Sequence, residues 1–562
     1  MSLRKRIFIN VSTNYVGHFI ALAVAFFITP FLIHTLGWEA YGTWSLVTGI
    51  TGYLGLMDFG IRTSLVKFVA QFSAKGEEEK LEQFVSTGFF VNLGLGVVVC
   101  LVALAVTPLI GTVFGKELGQ SGLLSVRIAL VLVTFQITRC LPLSVFHQCL
   151  GAASCLGAAA LAPLFVAASG DQIIREAVFD ARVALLLVAL QVAFCLPLAV
   201  YHQILAGYQR FDLANLARIS VLIVNTVAIV VFLRAGFGIV ALGIITLVTR
   251  TAEYVLCGVL VRRQWPGIRI RWRSVSRPVV RQIAGYSLWA FMFTLVGQVI
   301  YYTDSVVISA IMSVAAVTPY AVASMLVVHL RGLVFCISNV FTPAASDLAA
   351  HDNWEKLQKV TVKANRYLSL FVFPMAVGMA VFGAPFISLW QGQEFVSKSY
   401  PVLLILLAHA VLAFPQYGST SVMYGLQRHK WPALVSLVSA GINVVLSIYL
   451  GRIYGLIGVA IGTSVPVGLF AITFNPVYFS RILKIPLGEY LIRSHLRPFL
   501  AVLPMGFAGL LLVFYCKPDT WTFLILQGLL MALIHILFAF YVGLEPDERT
   551  EIRQRLLRWP VS

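Results

Sequence analysis

The sequence predicts an all-α fold: a polytopic membrane helix bundle of two parallel-repeat lobes, about six helices each, plus a C-terminal helix pair. Three observations predict it. Only 11% of the 562 residues are charged, against 59% hydrophobic, and mean hydropathy is +0.89. The apolar runs are continuous and about 20 residues long, the length needed to cross a bilayer as helix. Finally, stretches of the two halves repeat one another at fixed spacing. A soluble domain carries roughly a quarter of its residues as Asp, Glu, Lys and Arg. A chain with so few cannot cover itself with polar groups, so lipid is its solvent. A membrane β-barrel would show shorter, alternating segments.

Taken in order, the apolar spans fall at 11–33, 41–58, 83–108, 124–149, 152–168, 181–205, 213–233, 237–261, 283–311, 319–343, 366–390, 400–425, 432–450, 455–480, 496–516 and 521–543. The first follows a basic start, MSLRKRIFIN, with no small-residue cleavage site behind it, and is expected to be a retained helix. Basic stretches punctuate the rest: Arg4, Lys5 and Arg6, the acid-free VRRQWPGIRIRWRSVSRPVVRQ between 261 and 283, QRHK at 427–430, SRILK at 480–484, IRSHLR at 492–497 and the tail ERTEIRQRLLR. An even number of spans separates each from the next, so all fall on one side. The positive-inside rule makes that side cytoplasmic, with both termini there. The intervening loops, such as HTLGWEAYG and LRAGFG, are short and less basic. These marks divide the chain into an N-terminal lobe (1–262), a basic loop (263–282), a C-terminal lobe (283–484) and a helix pair with tail (485–562).

The long-range repeat aligns GYQRFDLANLARI from Gly207 with GLQRHKWPALVSL from Gly425. Asn225 then matches Asn443 and Arg234 matches Arg452, each at an offset of 218 (425 − 207, 443 − 225, 452 − 234). Each copy is a basic turn, a helix, a short Arg- and Gly-containing turn and another helix. The two halves are therefore expected to be parallel repeats about an axis along the membrane normal. A local repeat aligns RIALVLVTFQITRCLPLSVFHQCLGA from Arg127 with RVALLLVALQVAFCLPLAVYHQILAG from Arg182 (182 − 127 = 55). The shared CLPL and His-Gln indicate tandem duplication, which makes 150–205 a duplicated insert in the N-terminal lobe, expected at its periphery. His147 and His202 are explained by that duplication.

With these patterns in place, the chain resembles the polysaccharide transporter family of the multidrug/oligosaccharidyl-lipid/polysaccharide exporter superfamily. The resemblance rests on TPFLIHTLGWEAYGTWSLVTGITGYLGLMDFGIRTSLVKFVAQ, on LAGYQRFDLANLARI, and on MYGLQRHKWPALVSLVSAGINVVLSIYLGRIYGLIGVAIGTSV. It covers nearly all of the chain except about 150–205, where this sequence departs from the family's 14-helix plan. It implies a flippase for polyprenyl-diphosphate-linked oligosaccharides, such as O-antigen repeat units, working by alternating access in a bacterial inner membrane. The implied partners are that lipid-linked substrate, membrane phospholipids and the polysaccharide polymerase machinery. No cofactor is implied, and no P-loop is present, because GTVFGKE lacks the glycine spacing and the Ser or Thr of that motif.

Ionisable residues inside apolar spans mark the candidate substrate contacts. Asp58 and Arg62 stand one helical turn apart with Lys67 following, either as a local ion pair with a snorkelling lysine or as substrate-facing charges. Arg331, with His329 beside it, falls mid-span and calls for water, an anion or a partner. Arg139 is also mid-span, but its counterpart in the second copy is Phe194, so an insert-specific pairing competes with function. Asp304 is a cation or proton site, or the partner of Arg331. Arginine suits a diphosphate because its planar donors grip phosphate oxygens in pairs. No His, Cys or carboxylate set has metal-ligand spacing, and the eight cysteines lie mostly in apolar runs as small core residues. The net charge of +18 suits cytoplasmic loops facing anionic lipid and not nucleic acid. Two competing classes remain. A drug or cation antiporter would favour acidic cavity residues; a membrane glycan polymerase or ligase would carry a large external loop, and no loop on the predicted outside is long.

Overall fold

The computed structural model describes residues 3–55, 58–114, 172–338, 341–426 and 428–557. Among these no strand occurs, and eleven helices are long and apolar enough to cross a membrane. The expected spans at 124–149 and 152–168, and with them Arg139 and the first copy of the local repeat, lie outside the described residues. The chain forms two compact units, Met1–Thr318 and Pro319–Ser562.

The first unit begins with α1 (Leu3–Gly55), which merges two spans that the sequence separates by a loop. HTLGWEAYG contracts to a kink at Gly37, whose φ of 83° is open to glycine at little cost. Next come α2 (Ile61–Lys75), α3 (Glu78–Phe114), α4 (Gln172–Gly207), α5 (Phe211–Arg234), α6 (Ile239–Gln264) and α7 (Arg277–Ile311). Helix α4 packs against both α3 and α6. Helix α2 is too short to span. Its apolar stripe Ile61, Leu65, Phe68, Val69 and Phe72 recurs at helical spacing and is buried against Phe84 and Val85 of α3, Ile204 and Leu205 of α4, and Cys257 and Val261 of α6. Outward-facing Ile223, Val224, Val227 and Val231 leave α5 apolar on its exposed face, as lipid solvent allows.

Helix α8 (Val314–Ser338) crosses the unit boundary. In the second unit follow α9 (Phe341–Ala350), α10 (Trp354–Gln391), α11 (Gln393–Ala413), α12 (Tyr417–Gly425), α13 (Lys430–Ile472), α14 (Phe474–Leu483), α15 (Leu487–Leu491), α16 (Arg497–Tyr515), α17 (Trp521–Phe538) and α18 (Pro546–Leu557). Helix α13 again joins two expected spans, folding at Gly455 (φ 61°). The repeat reappears as geometry. Helices α4 and α12 both end at the matched glycines, Gly207 and Gly425. Asn225 accepts a hydrogen bond from the Thr249 hydroxyl at 2.9 Å, and Asn443 donates to Thr463 at 2.7 Å, so each matched asparagine pins the helix segment that follows it.

Candidate functional site

The first unit holds a charged cluster in which buried carboxylates meet exposed arginines. Phe59 (φ 46°) and Gly60 (φ 75°) turn the chain sharply into α2 and set Asp58 over the helix start. There the Asp58 carboxylate accepts from the Arg62 backbone N–H and pairs with the Arg62 guanidinium, both at 3.4 Å. Asp58 is buried, and its second oxygen has no hydrogen-bond partner among the described residues. The Arg62 side chain is 45% exposed, so the pair leaves room for another acceptor. Arg62 also lies within charge-interaction range of Glu253 and Tyr254 on α6.

Glu253 is buried and paired with Arg250 one turn earlier at 3.1 Å. The ring of Tyr254 meets that of His202 edge-on, with centroids 6.5 Å apart. Arg218 of α5 is in charge-interaction range of His202. Two arginines (62 and 250) thus pair with two carboxylates (58 and 253), and Arg218, near His202, adds one positive charge to the group. Among the described residues no three of His, Cys, Asp and Glu converge as a metal would need. What the cluster can do is hold an anion: it offers planar donors already balanced by carboxylates that an incoming phosphate could replace.

Lys67 faces outward on α2, its ammonium 5.4 Å from the Phe68 ring centroid. Asp304 is buried on α7 in the same unit. Arg331 and His329 lie half-buried on α8 in the second unit. The Arg331 charge acts on His409 of α11, which is fully buried and hydrogen-bonded through Nδ1 to the Ser464 hydroxyl at 3.1 Å. Ser464 donates in turn to the Ile405 carbonyl at 2.9 Å. Both side chains border a cavity of about 490 Å³ between α11 and α13 whose other lining residues are apolar.

Sequence reasoning passed over Arg250 and Glu253, although TRTAE sits inside the span expected at 237–261 and two charges mid-span are themselves a signal. It read His202 as a by-product of duplication; in the structure His202 also borders the cluster. A second charged group went unnoticed. Arg366 of α10, 1% exposed, donates to Glu545 at 2.6 Å, to Glu548 at 2.5 Å and to the Arg493 carbonyl at 2.8 Å. That carbonyl is available because residues 492–496 form a wide π turn, which loosens the usual helical hydrogen bonding.

Comparison with known proteins bears directly on this architecture. Residues 145–399 match the family model described as polysaccharide biosynthesis protein, and residues 15–170 match MatE. The chain is 21% identical to the uncharacterized membrane protein EpsK of Bacillus subtilis over 97% of both proteins. It is also 21% identical to a putative O-antigen transporter of Shigella flexneri, over 84% of this chain and 97% of that one. By these matches the chain is similar to polysaccharide transporters of the multidrug/oligosaccharidyl-lipid/polysaccharide exporter superfamily. Solved structures share its fold. The lipid II flippase MurJ in an inward closed conformation gives a TM-score of 0.62 at 16% identity, covering 95% of this chain and 98% of that one. An inward-facing multidrug resistance MATE transporter gives 0.63 at 15% identity, covering 83% and 95%. The chain is thus a multi-pass membrane protein, and its charged clusters sit in a helical bundle of the MATE and MurJ type.

Proposed function

We propose that this protein is a flippase that carries a polyprenyl-diphosphate-linked oligosaccharide from the inner to the outer leaflet of a bacterial inner membrane by alternating access, with both termini cytoplasmic. The observation that carries the reading is the Asp58–Arg62 pair beside Arg250–Glu253, an arginine-rich cluster inside a chain similar to polysaccharide transporters. A diphosphate cannot enter hydrocarbon bare, because desolvating a charge there costs several kcal/mol at least. Its polyprenyl tail can remain in lipid while arginines receive the head. Two negative charges moving outward across ~100 mV, inside negative, gain roughly 4.6 kcal/mol, enough to drive the step without nucleotide hydrolysis. The names of relatives support the reading: a probable low-salt glycan biosynthesis flippase of Haloferax volcanii is 21% identical over 37% of this chain and 45% of that one. The polymerase machinery that joins the repeat units is the partner this reading expects downstream.

A drug or cation antiporter is the second reading, favoured by the two buried carboxylates Asp58 and Glu253. Both, however, already pair with arginine, which leaves them little capacity for a cationic cargo. Reconstitution decides between them. Proteoliposomes holding the protein and a lipid-linked oligosaccharide should expose the glycan to an external lectin faster than empty vesicles do, and an Arg62→Ala variant should not. Efflux of cationic dyes without glycan movement would overturn the proposal.

A further inference from the structure

The loop that the sequence marks as the densest run of arginines is a built surface and not a slack linker. Between α6 and α7 the side chains alternate: Ile268 and Ile270 pack on the core of the first unit, while Arg269 and Arg271 point outward. One face of α3 receives the segment. The buried Ser86 hydroxyl accepts from the Arg271 backbone N–H at 3.1 Å and donates to the Arg269 carbonyl at 3.4 Å, clamping the chain between those two side chains. One turn earlier, Glu82 takes the Ser274 hydroxyl at 2.9 Å and lies 3.8 Å from the Arg271 guanidinium. Thr87 accepts from the Ser276 N–H at 3.2 Å, and Phe90 meets the Trp272 ring edge-on at 4.8 Å. Upstream, Trp265 stacks on Tyr208 with centroids 4.1 Å apart. The positions Glu82, Ser86 and Phe90 are four apart, so α3 presents them as a single stripe.

The outcome is a fixed row of exposed guanidinium groups, Arg269, Arg271 and Arg273, continued by exposed Arg277 and Arg281, with Trp272 70% exposed among them. From 262 to 281 the chain contains no acid, and Glu82 is the one carboxylate paired with this row among the described residues. An exposed tryptophan beside cations is the pattern of a membrane–water interface, where the ring sits at head-group level.

We propose that this row is a seat for the phosphate groups of anionic glycerophospholipids in the leaflet it faces. The charge is complementary, and arginine donors match phosphate oxygens in pairs. Mass action selects the occupant. An open row without an enclosing pocket has no means of choosing a scarce lipid over an abundant one of like charge. The clamp by Ser86 and Thr87 holds the backbone of the row in place before the lipid arrives, which lowers the ordering cost of binding.

The test uses the full-length protein in detergent micelles, with retained lipid counted by native mass spectrometry. Phosphatidylglycerol should bind well ahead of phosphatidylcholine, and rising salt from about 50 to 500 mM should weaken it. The variant R269Q/R271Q/R273Q should bind phosphatidylglycerol more weakly by about fivefold per arginine, on the order of a hundredfold in all. The lysine counterpart R269K/R271K/R273K should keep most of the affinity, and S86A, with every charge retained, should lose several-fold. Equal retention of the two lipids overturns the proposal. So does salt-independent binding, which is read on the unaltered protein and needs no variant to fold. Displacement of phosphatidylglycerol by an equal mole fraction of a polyprenyl diphosphate would reassign the row to the transport substrate and overturn the choice of occupant.

Discussion

Arg366 and Glu548 stand 182 positions apart in sequence and meet at 2.5 Å, both buried, where the tail helix α18 closes on α10. Glu545 takes a second nitrogen of the same guanidinium and also binds Arg493 at 2.7 and 2.9 Å. Breaking a buried pair by removing one partner leaves an uncompensated charge and costs about 3–5 kcal/mol. Glu548→Gln is expected to lower the thermal unfolding midpoint in detergent clearly, and Arg366→Met combined with Glu548→Leu to recover much of the loss. A midpoint unchanged in Glu548→Gln would show that the tail contributes nothing to the second unit.

The pH dependence of the same network has a definite sign. Hydrogen bonds from Arg493, reinforced by the nearby Arg366 charge, hold the Glu545 carboxyl down at about 2, below its ordinary 4.5. A carboxyl depressed in the folded state stabilises above its unfolded pKa and loses that contribution as pH falls toward the folded value. Stability should therefore be flat in this term above about pH 5 and decline between about 4.5 and 2. Glu545→Gln should be less stable at neutral pH and show a shallower acid slope over that window. An identical slope in the variant counts against the assignment.

The repeat at an offset of 218 was legible because matched helix starts need the same turn chemistry, and the matched asparagines do perform the same job in both units. Their partners were not legible. Thr249 follows Asn225 by 24 residues and Thr463 follows Asn443 by 20, since the intervening turns differ: Gly236 adopts positive φ in one and Gly455 in the other. HTLGWEAYG reads as a loop because His34, Thr35 and Glu39 interrupt the apolar run, whereas positive φ at the single residue Gly37 suffices to join the two helices across a kink. Arg366 escaped notice because its partners come from the tail, far outside any window of helical periodicity. Asp58 and Arg62 were found because an (i, i+4) pair is local.

Asn443 is fully buried and donates to both the Thr463 hydroxyl and the Gly462 carbonyl, the latter at 3.4 Å. Asn443→Ala should destabilise by about 1–3 kcal/mol, because two buried hydrogen bonds from its amide, to the Thr463 hydroxyl and the Gly462 carbonyl, are lost together. The same change at Asn225, which lies on a less buried helix, should cost less. Unfolding midpoints of the two variants side by side test the order, and the reverse order would contradict this account.

Topology is accessible at Pro266, which is exposed in the loop before the arginine row. If the basic segments face the cytoplasm, a Pro266→Cys variant should react with an impermeant maleimide only after the cells are opened or the vesicles inverted. Labelling of intact spheroplasts would reverse the orientation and, with it, the direction of transport proposed above. The native cysteines supply the background to subtract, and Cys195 and Cys257 are buried.

The substrate contacts carry the most discriminating prediction. Arg62 is held by Asp58 at one side, stays partly exposed, and neighbours a Glu253 already paired with Arg250. If Arg62 receives a diphosphate, Arg62→Ala should abolish glycan movement while membrane abundance stays near normal, because the buried Asp58 carboxylate still accepts from the backbone N–H of residue 62 when the guanidinium is gone. Arg62→Lys should restore part of the activity, as an ammonium supplies charge without the planar pair of donors. Asp58→Asn removes the competitor for the guanidinium and should tighten substrate binding while slowing release, so initial binding rises and turnover falls. Arg331→Ala is expected to behave like Arg62→Ala, with transport lost at normal abundance. Arg250→Ala differs from both, since it leaves Glu253 buried without its ion-pair partner and should reduce the amount of folded protein. Should Arg62→Ala transport at the normal rate, the Asp58–Arg62 pair is a device for starting α2 and nothing more.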